Sequence, residues 1–211
     1  MKPLDLRLYL VTDSALASRD QIPEIVEQAV WGGVTMVQLR EKTADTKTRL
    51  QIAFALKETL IGYAVPLIIN DRVDVALAVD ADGLHIGQRD MPYEMARKLL
   101  GGDKIIGLSV ENMRQVEDAN QLDVDYISIS PVFVTPTKPE AKNAFGIEGL
   151  KRAVRISKHK TVAIGGIHLE NVSEIIRAGV DGVSVVSAIV KAQNPSSAAA
   201  ELIKNISDSR L

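Results

Sequence analysis

The chain has 211 residues, 46% of them hydrophobic and 25% charged, with a formal net charge of -2. That content supports a large core and gives no basic field for nucleic acid. Aromatic residues make up only 4%, which leaves few stacking platforms for single strands. Cys 0 excludes disulfides, thiolate nucleophiles and cysteine metal sites, and His 3 excludes a histidine-rich cage, so a metal here needs carboxylates.

The start, Met1 to Arg7, alternates charged and apolar residues and lacks the apolar core of a secretory signal. No later run is long enough to span a bilayer, so a cytoplasmic protein without membrane partners is expected. Leu8–Val11 reads as a buried strand, followed by helical spacing at Ile22, Ile25, Val26, Ala29 and Val30. Gly32-Gly33 closes that helix and Val34–Leu39 forms the next strand. A helix with Leu50, Ala53, Phe54, Leu60 and Ile61 on one face follows. Pro66–Ile69 is a third strand ending in Asn70-Asp71, with a short helix through Val73, Ala76 and Leu77. Gly83–Gly87 is a fourth, after which Pro92 suits a first helical turn.

Ile105–Leu108 is a fifth strand ending in Ser109. The sixth is the stretch Ser130–Lys138, with Tyr126, Ile127, Ile129, Val132 and Phe133 as strand formers. It runs into a loop stiffened by Pro136 and Pro139 that carries Thr135, Thr137 and Lys138. Leu150, Ala153 and Val154 mark a helix, Thr161–Ile164 a seventh strand stopping at Gly165-Gly166, and Val172, Ile175 and Ile176 its helix. Gly182–Val186 is the eighth, and Asn194-Pro195 opens the final helix.

About eight strand–helix units of roughly 26 residues fit a single parallel (β/α)8 TIM barrel over residues 1–211, with a doubly wound open sheet as the rival. The even rhythm favours closure, as does the echo of Asp82-Gly83 in Asp181-Gly182, each introducing a strand. In a barrel, Arg40, Lys42, Asn70, Asp71, Asp90, Ser109, Thr135, Thr137, Lys138, Gly166 and Ser187 all converge on the C-terminal rim. Asp71 and Asp90 are either helix caps or two ligands for Mg²⁺, which keeps waters and leans on phosphates. Gly165-Gly166 is either a tight turn or, with Val186-Ser187, a phosphate site at helix N-termini. His159 and His168 read as exposed, and His85 as a hydrogen-bonded residue of the barrel interior.

Gln38-Leu39-Arg40-Glu41-Lys42, Asn70-Asp71-Arg72, Gly87-Gln88-Arg89-Asp90, Gly107-Leu108-Ser109, Thr135-Pro136-Thr137-Lys138 and Ile164-Gly165-Gly166-Ile167 together resemble thiamine phosphate synthase over nearly the whole chain. The resemblance implies joining a hydroxymethylpyrimidine diphosphate to a thiazole phosphate with Mg²⁺, releasing pyrophosphate. It assigns Gln38, Leu39, Arg40, Glu41, Lys42, Asn70, Ser109 and Lys138 to the pyrimidine diphosphate, with Arg40, Lys42, Ser109 and Lys138 acting in catalysis. Thr135, Pro136, Thr137, Gly166, Val186 and Ser187 fall to the thiazole phosphate, and Asp71 and Asp90 to the metal. Ser130, where the family usually has glycine, and Val134, often proline, depart from its pattern. The alternatives are the thiazole tautomerase of the same barrel family, a Schiff-base aldolase or a phosphate-ligand sensor. Retention of Arg40, Lys42, Asp71, Asp90 and Lys138 argues against the tautomerase, and the polar setting of Lys42 against the aldolase.

Overall fold

A computed structural model describes residues 4–134 and 144–210. Eight parallel strands form a closed barrel in chain order: β1 (Leu8–Val11), β2 (Met36–Leu39), β3 (Leu67–Asn70), β4 (Gly83–Ile86), β5 (Ile105–Val110), β6 (Tyr126–Ile129), β7 (Lys160–Ile164) and β8 (Gly182–Val185). The circle closes where Tyr9 pairs with Ser184 and Leu10 with Val185. Helices α1 (Ile22–Trp31), α2 (Thr46–Thr59), α3 (Val73–Ala78), α4 (Tyr93–Leu100), α5 (Met113–Ala119), α6 (Gly146–Ile156) and α7 (Val172–Arg177) alternate with the strands. The short α8 (Ser187–Val190) and α9 (Pro195–Asp208) complete the ring. No helix of the described residues is long and apolar enough to cross a membrane.

Strand periodicity divides the core in two. Outward residues such as Leu10, Val37, Ile69, Leu84 and Ile106 pack against the helices, while Leu6, Tyr9, Met36, Ile68, Ile105, Tyr126 and Val162 fill the barrel interior. The aspartate before each even strand from β4 onward braces the strand before it. Asp82, Asp125 and Asp181 accept from the N–H of Leu67, Ile106 and Thr161 at 2.8, 2.7 and 2.8 Å. The Asp-Gly echo in the sequence therefore marks a staple at the barrel's lower end.

Several elements differ from the sequence reading. Helix α2 buries Ile52, Ala53 and Leu56, whereas Phe54 and Ile61 are 48% and 73% exposed: neighbouring apolar residues allowed two registers, and packing against the sheet selected one. Helix α5 was not apparent from apolar spacing in its polar sequence; Asn112 caps it by accepting from the Gln115 N–H at 3.0 Å. Pro92 is the N-cap of α4 rather than part of its first turn. β6 ends at Ile129, so the stretch beginning at Ser130 lies past the strand, and the Ser130–Pro131 bond is cis. Asn194 does cap α9, accepting from the Ser197 N–H at 2.9 Å.

Candidate active site

The strand C-termini surround a cavity of about 210 Å³. Gln38, Arg40, Lys42, Asn70, Asp71, Asp90, Ser109 and Val186, all singled out from sequence, line it. Four expected contributors lie outside the described residues: Thr135, Pro136, Thr137 and Lys138. Leu39 is 3% exposed and packs outward in the core, as alternation after the inward Gln38 requires. Glu41 turns away from the cavity: it accepts from Arg19 Nε at 3.0 Å and from the backbone N–H groups of Thr43 and Ala44 at 2.9 and 3.1 Å. Burial works to raise its pKa, but the hydrogen bonds from Arg19, Ser14, Thr43 and Ala44 outweigh it and hold the carboxyl at about 2. Its role is to shape the loop that carries Arg40 and Lys42.

Arg40 is itself anchored. Its Nη1 donates to Asp13 at 2.9 Å and its backbone N–H to Thr12 Oγ1 at 3.2 Å, so the β1 loop orients the cation and offsets part of its charge. Thr12-Asp13 directly follow β1, and their ring neighbour β2 brings Arg40 to them.

Asp71 and Asp90 come from the loops after β3 and β4 and face each other across the cavity wall. Desolvation, a side-chain hydrogen bond with Asp90 and the Asp90 charge together raise Asp71 to about 6, against the lowering influence of Lys42 and Arg40. Asp71 also holds a left-handed backbone, φ 62°, with its N–H donating to the His85 carbonyl at 2.9 Å. It is not a helix cap, since Arg72 occupies the N-cap of α3. Asp90 accepts from the Gly87 N–H at 2.7 Å and lies two residues before the N-cap Pro92. Two opposed carboxylates, with no cluster of three acidic or histidine groups among the described residues, are a donor set suited to a hard cation that keeps water and phosphate oxygens.

Below this polar rim runs a hydrogen-bonded floor. Gln38 Nε2 donates to Tyr9 Oη at 2.6 Å; Tyr9 and Tyr126 hydroxyls are 3.0 Å apart; His85 Nδ1 lies 3.0 Å from Tyr126 Oη, and His85 Nε2 2.9 Å from Ser109 Oγ. His85 is thus the interior, hydrogen-bonded residue that strand alternation indicated, whereas His159 is half-buried rather than exposed. Tyr9, Ser128 and Ser184 were not singled out from sequence, and Tyr126 and Ser130 only as a strand former and as a departure from the family pattern. Their one signal was inward parity: polar residues two apart from a recognised inward neighbour on a barrel strand.

The glycines after β7 do not sit where they were expected. Helix α7 begins only at Val172, so Gly165-Gly166 is not at a helix N-terminus. The Phe133 N–H donates to the Gly165 carbonyl at 3.1 Å, and a Cβ on Gly166, at φ 68°, would meet Phe133 Cβ at 2.8 Å. The two residues admit the loop after β6. Gly165 and Ile167 line the cavity beside them; Gly166 does not. After β8 the expectation fares better for position, with Val186 at the cavity and exposed Ser187 opening α8.

Residues 8–189 match the family model described as thiamine monophosphate synthase. The chain is 51% identical over 197 residues to the thiamine-phosphate synthase of Vibrio parahaemolyticus, covering 93% of this chain and 96% of that protein. It is 46% identical over 204 residues to that of Methanobrevibacter smithii, covering 97% of each. Among solved structures, the thiamine phosphate pyrophosphorylase of Pyrococcus furiosus superposes with a TM-score of 0.89 at 38% identity, covering 97% of both chains. A cavity of cations, paired acids and a neutral polar floor, on a barrel matched along almost its full length, places this chain in the thiamine monophosphate synthase family.

Proposed function

We propose that the chain condenses hydroxymethylpyrimidine diphosphate with thiazole phosphate to give thiamine phosphate and pyrophosphate, in the cytoplasm. The observation that carries this reading is one cavity lined by Arg40, Lys42 and the Asp71–Asp90 pair above an uncharged donor–acceptor floor. Such a site suits a ligand with a flat polar ring at one end and a diphosphate at the other.

The chemistry asks little of a protein nucleophile. The C–O bond to the diphosphate breaks, the amino-substituted ring delocalises the positive charge, and the thiazole nitrogen forms the new C–N bond. Arg40, held by Asp13, and Lys42 face the charge that grows on the departing pyrophosphate, joined in this reading by Lys138. Asp71 and Asp90 would hold Mg²⁺, which when bound offsets charge on the leaving group. Ser109 and Gln38 hold the ring, and Val186, Ser187 and the loop residues Thr135 and Thr137 hold the thiazole phosphate.

Pyrophosphate release measured with each substrate alone and then with both decides the matter. Release only with both supports condensation. Release with neither combination, from protein that binds both ligands, would make it a sensor.

A further inference from the structure

We infer that the chain Gln38–Tyr9–Tyr126–His85–Ser109 fixes which hydrogen-bonding groups the cavity offers, making Tyr9, Tyr126 and His85 positioning residues that select an aminopyrimidine over its oxo counterpart. The inference rests on the reading above, in which the pyrimidine occupies this cavity.

Each link constrains the next. Gln38 spends one of its two amide hydrogens on Tyr9 Oη at 2.6 Å, which fixes the way the amide faces and makes its carbonyl oxygen the acceptor it offers the ligand. Either hydroxyl of the Tyr9–Tyr126 pair, 3.0 Å apart, can donate; with Tyr9 already accepting from Gln38, the proposed direction runs from Tyr9 to Tyr126 and from Tyr126 to His85 Nδ1, also at 3.0 Å. His85 therefore carries its hydrogen on Nε2 and donates to Ser109 Oγ at 2.9 Å, which frees the Ser109 hydroxyl hydrogen for the cavity. The two ends, on β2 and β5, thus present an acceptor and a donor.

Reversing one end alone sets two hydrogens or two lone pairs against each other in a buried site, so all five groups must reverse together. Tyr9 and Tyr126 are 1% and 0% exposed, and burial raises the pKa of both phenols, so neither hydroxyl leaves the chain by ionising. An aminopyrimidine offers an N–H to the Gln38 oxygen and a ring nitrogen to Ser109. The oxo analogue turns a carbonyl toward that same oxygen, and a site built this way rejects it.

Two measurements test the inference. The first is the ¹⁵N shift of the His85 ring in the parent protein, where a neutral ring with hydrogen on Nε2 is expected; hydrogen on Nδ1, or on both nitrogens, overturns the proposed direction. The second is kcat/KM for the amino and oxo pyrimidine diphosphates in the parent, Tyr126→Phe and Tyr9→Phe. Comparing ratios between enzymes cancels the intrinsic reactivity of each analogue. A folded variant in which Gln38 can flip should lose amino preference by about tenfold, the worth of one well-made hydrogen bond. Slowing of both analogues by the same factor, in either folded variant, overturns the inference and leaves only a structural role. Failure of the parent to release pyrophosphate from the amino substrate would instead sink the functional reading, whatever the histidine tautomer.

Discussion

Gly107 and Tyr126 share one volume inside the barrel: a Cβ on Gly107 would lie 2.1 Å from Tyr126 Cζ and 2.4 Å from its hydroxyl. The two residues are register partners on β5 and β6, so the tyrosine ring crosses the strand at the one position without a side chain. Gly107→Ala is expected to destabilise by about 3 kcal/mol, at the upper end for an overpacked core, because the ring is enclosed. Denaturant unfolding checks this. In the Tyr126→Ala background the same change should cost less than about 1 kcal/mol, and equal costs in both backgrounds would show that the ring is not the obstacle.

Asp71 trades stability for its site. Its raised pKa means that the carboxylate form is disfavoured in the fold, so the folded protein loses stability as pH rises from the ordinary carboxylate range through about 6. Asp71→Asn removes that burden, and asparagine tolerates the left-handed φ of 62°. Without added metal at pH 7.5, its Tm should rise by about 2–4 °C while activity falls. Asp71→Ala, strained at that φ, should not gain. Thermal scans of the three proteins at pH 5 and 7.5 make the comparison, and no gain for the asparagine variant at the higher pH would contradict it.

Glu41 gives the opposite sign. Its carboxyl titrates near 2 in the fold, so its stabilisation is complete above the unfolded carboxylate range and disappears as pH falls toward 2. Its side chain is 2% exposed, but Arg19 is open to solvent and screening trims the effect to about 1–2 kcal/mol. Glu41→Gln should therefore unfold at lower urea than the parent at pH 7, with the gap closing below pH 3. Because the loop it shapes carries Arg40 and Lys42, KM for the pyrimidine diphosphate should rise as well.

Fixed charge and metal occupancy should separate in kinetics. Lys138→Ala is expected to lose about 3–4 kcal/mol of transition-state stabilisation, a factor of about 10² to 10³, at every Mg²⁺ concentration. Asp90→Asn keeps an oxygen for the Gly87 N–H and should recover part of its rate as Mg²⁺ is raised. Pyrophosphate release titrated with Mg²⁺ reads both, and full parent activity in excess EDTA would remove the metal from the scheme.

If Gly166 gripped the thiazole phosphate, Gly166→Val would injure use of that substrate while sparing the pyrimidine diphosphate. With Phe133 Cβ 2.8 Å from the added carbon, the first casualty is the loop after β6. Affinities for both ligands, measured by calorimetry, should fall together, since that loop leads into the segment containing Lys138. Selective loss of thiazole phosphate would instead put Gly166 at that phosphate.

Linear sequence was sufficient for the strand–helix alternation apart from α5 and the bounds of β6, because strand and helix periods are local consequences of side-chain direction, and for the polar rim, because every parallel strand delivers its last residue to the same face. Arg40, Lys42, Asn70, Asp71, Asp90 and Ser109 were legible for that reason, and Gln38 through the family resemblance. Which of two apolar registers α2 would bury was not, since Phe54 and Leu56 are equally apolar and only the sheet chooses between them. Nor was the floor: Tyr9 and Tyr126 are separated by 117 positions and look like ordinary strand tyrosines until closure brings their hydroxyls to 3.0 Å. The pairing of Arg40 with Asp13, the turning of Glu41 toward Arg19 and the contact of Gly166 with Phe133 are likewise decided only in three dimensions. Periodicity specifies the direction a side chain leaves the backbone, whereas its partner depends on which distant strand the closed barrel sets beside it.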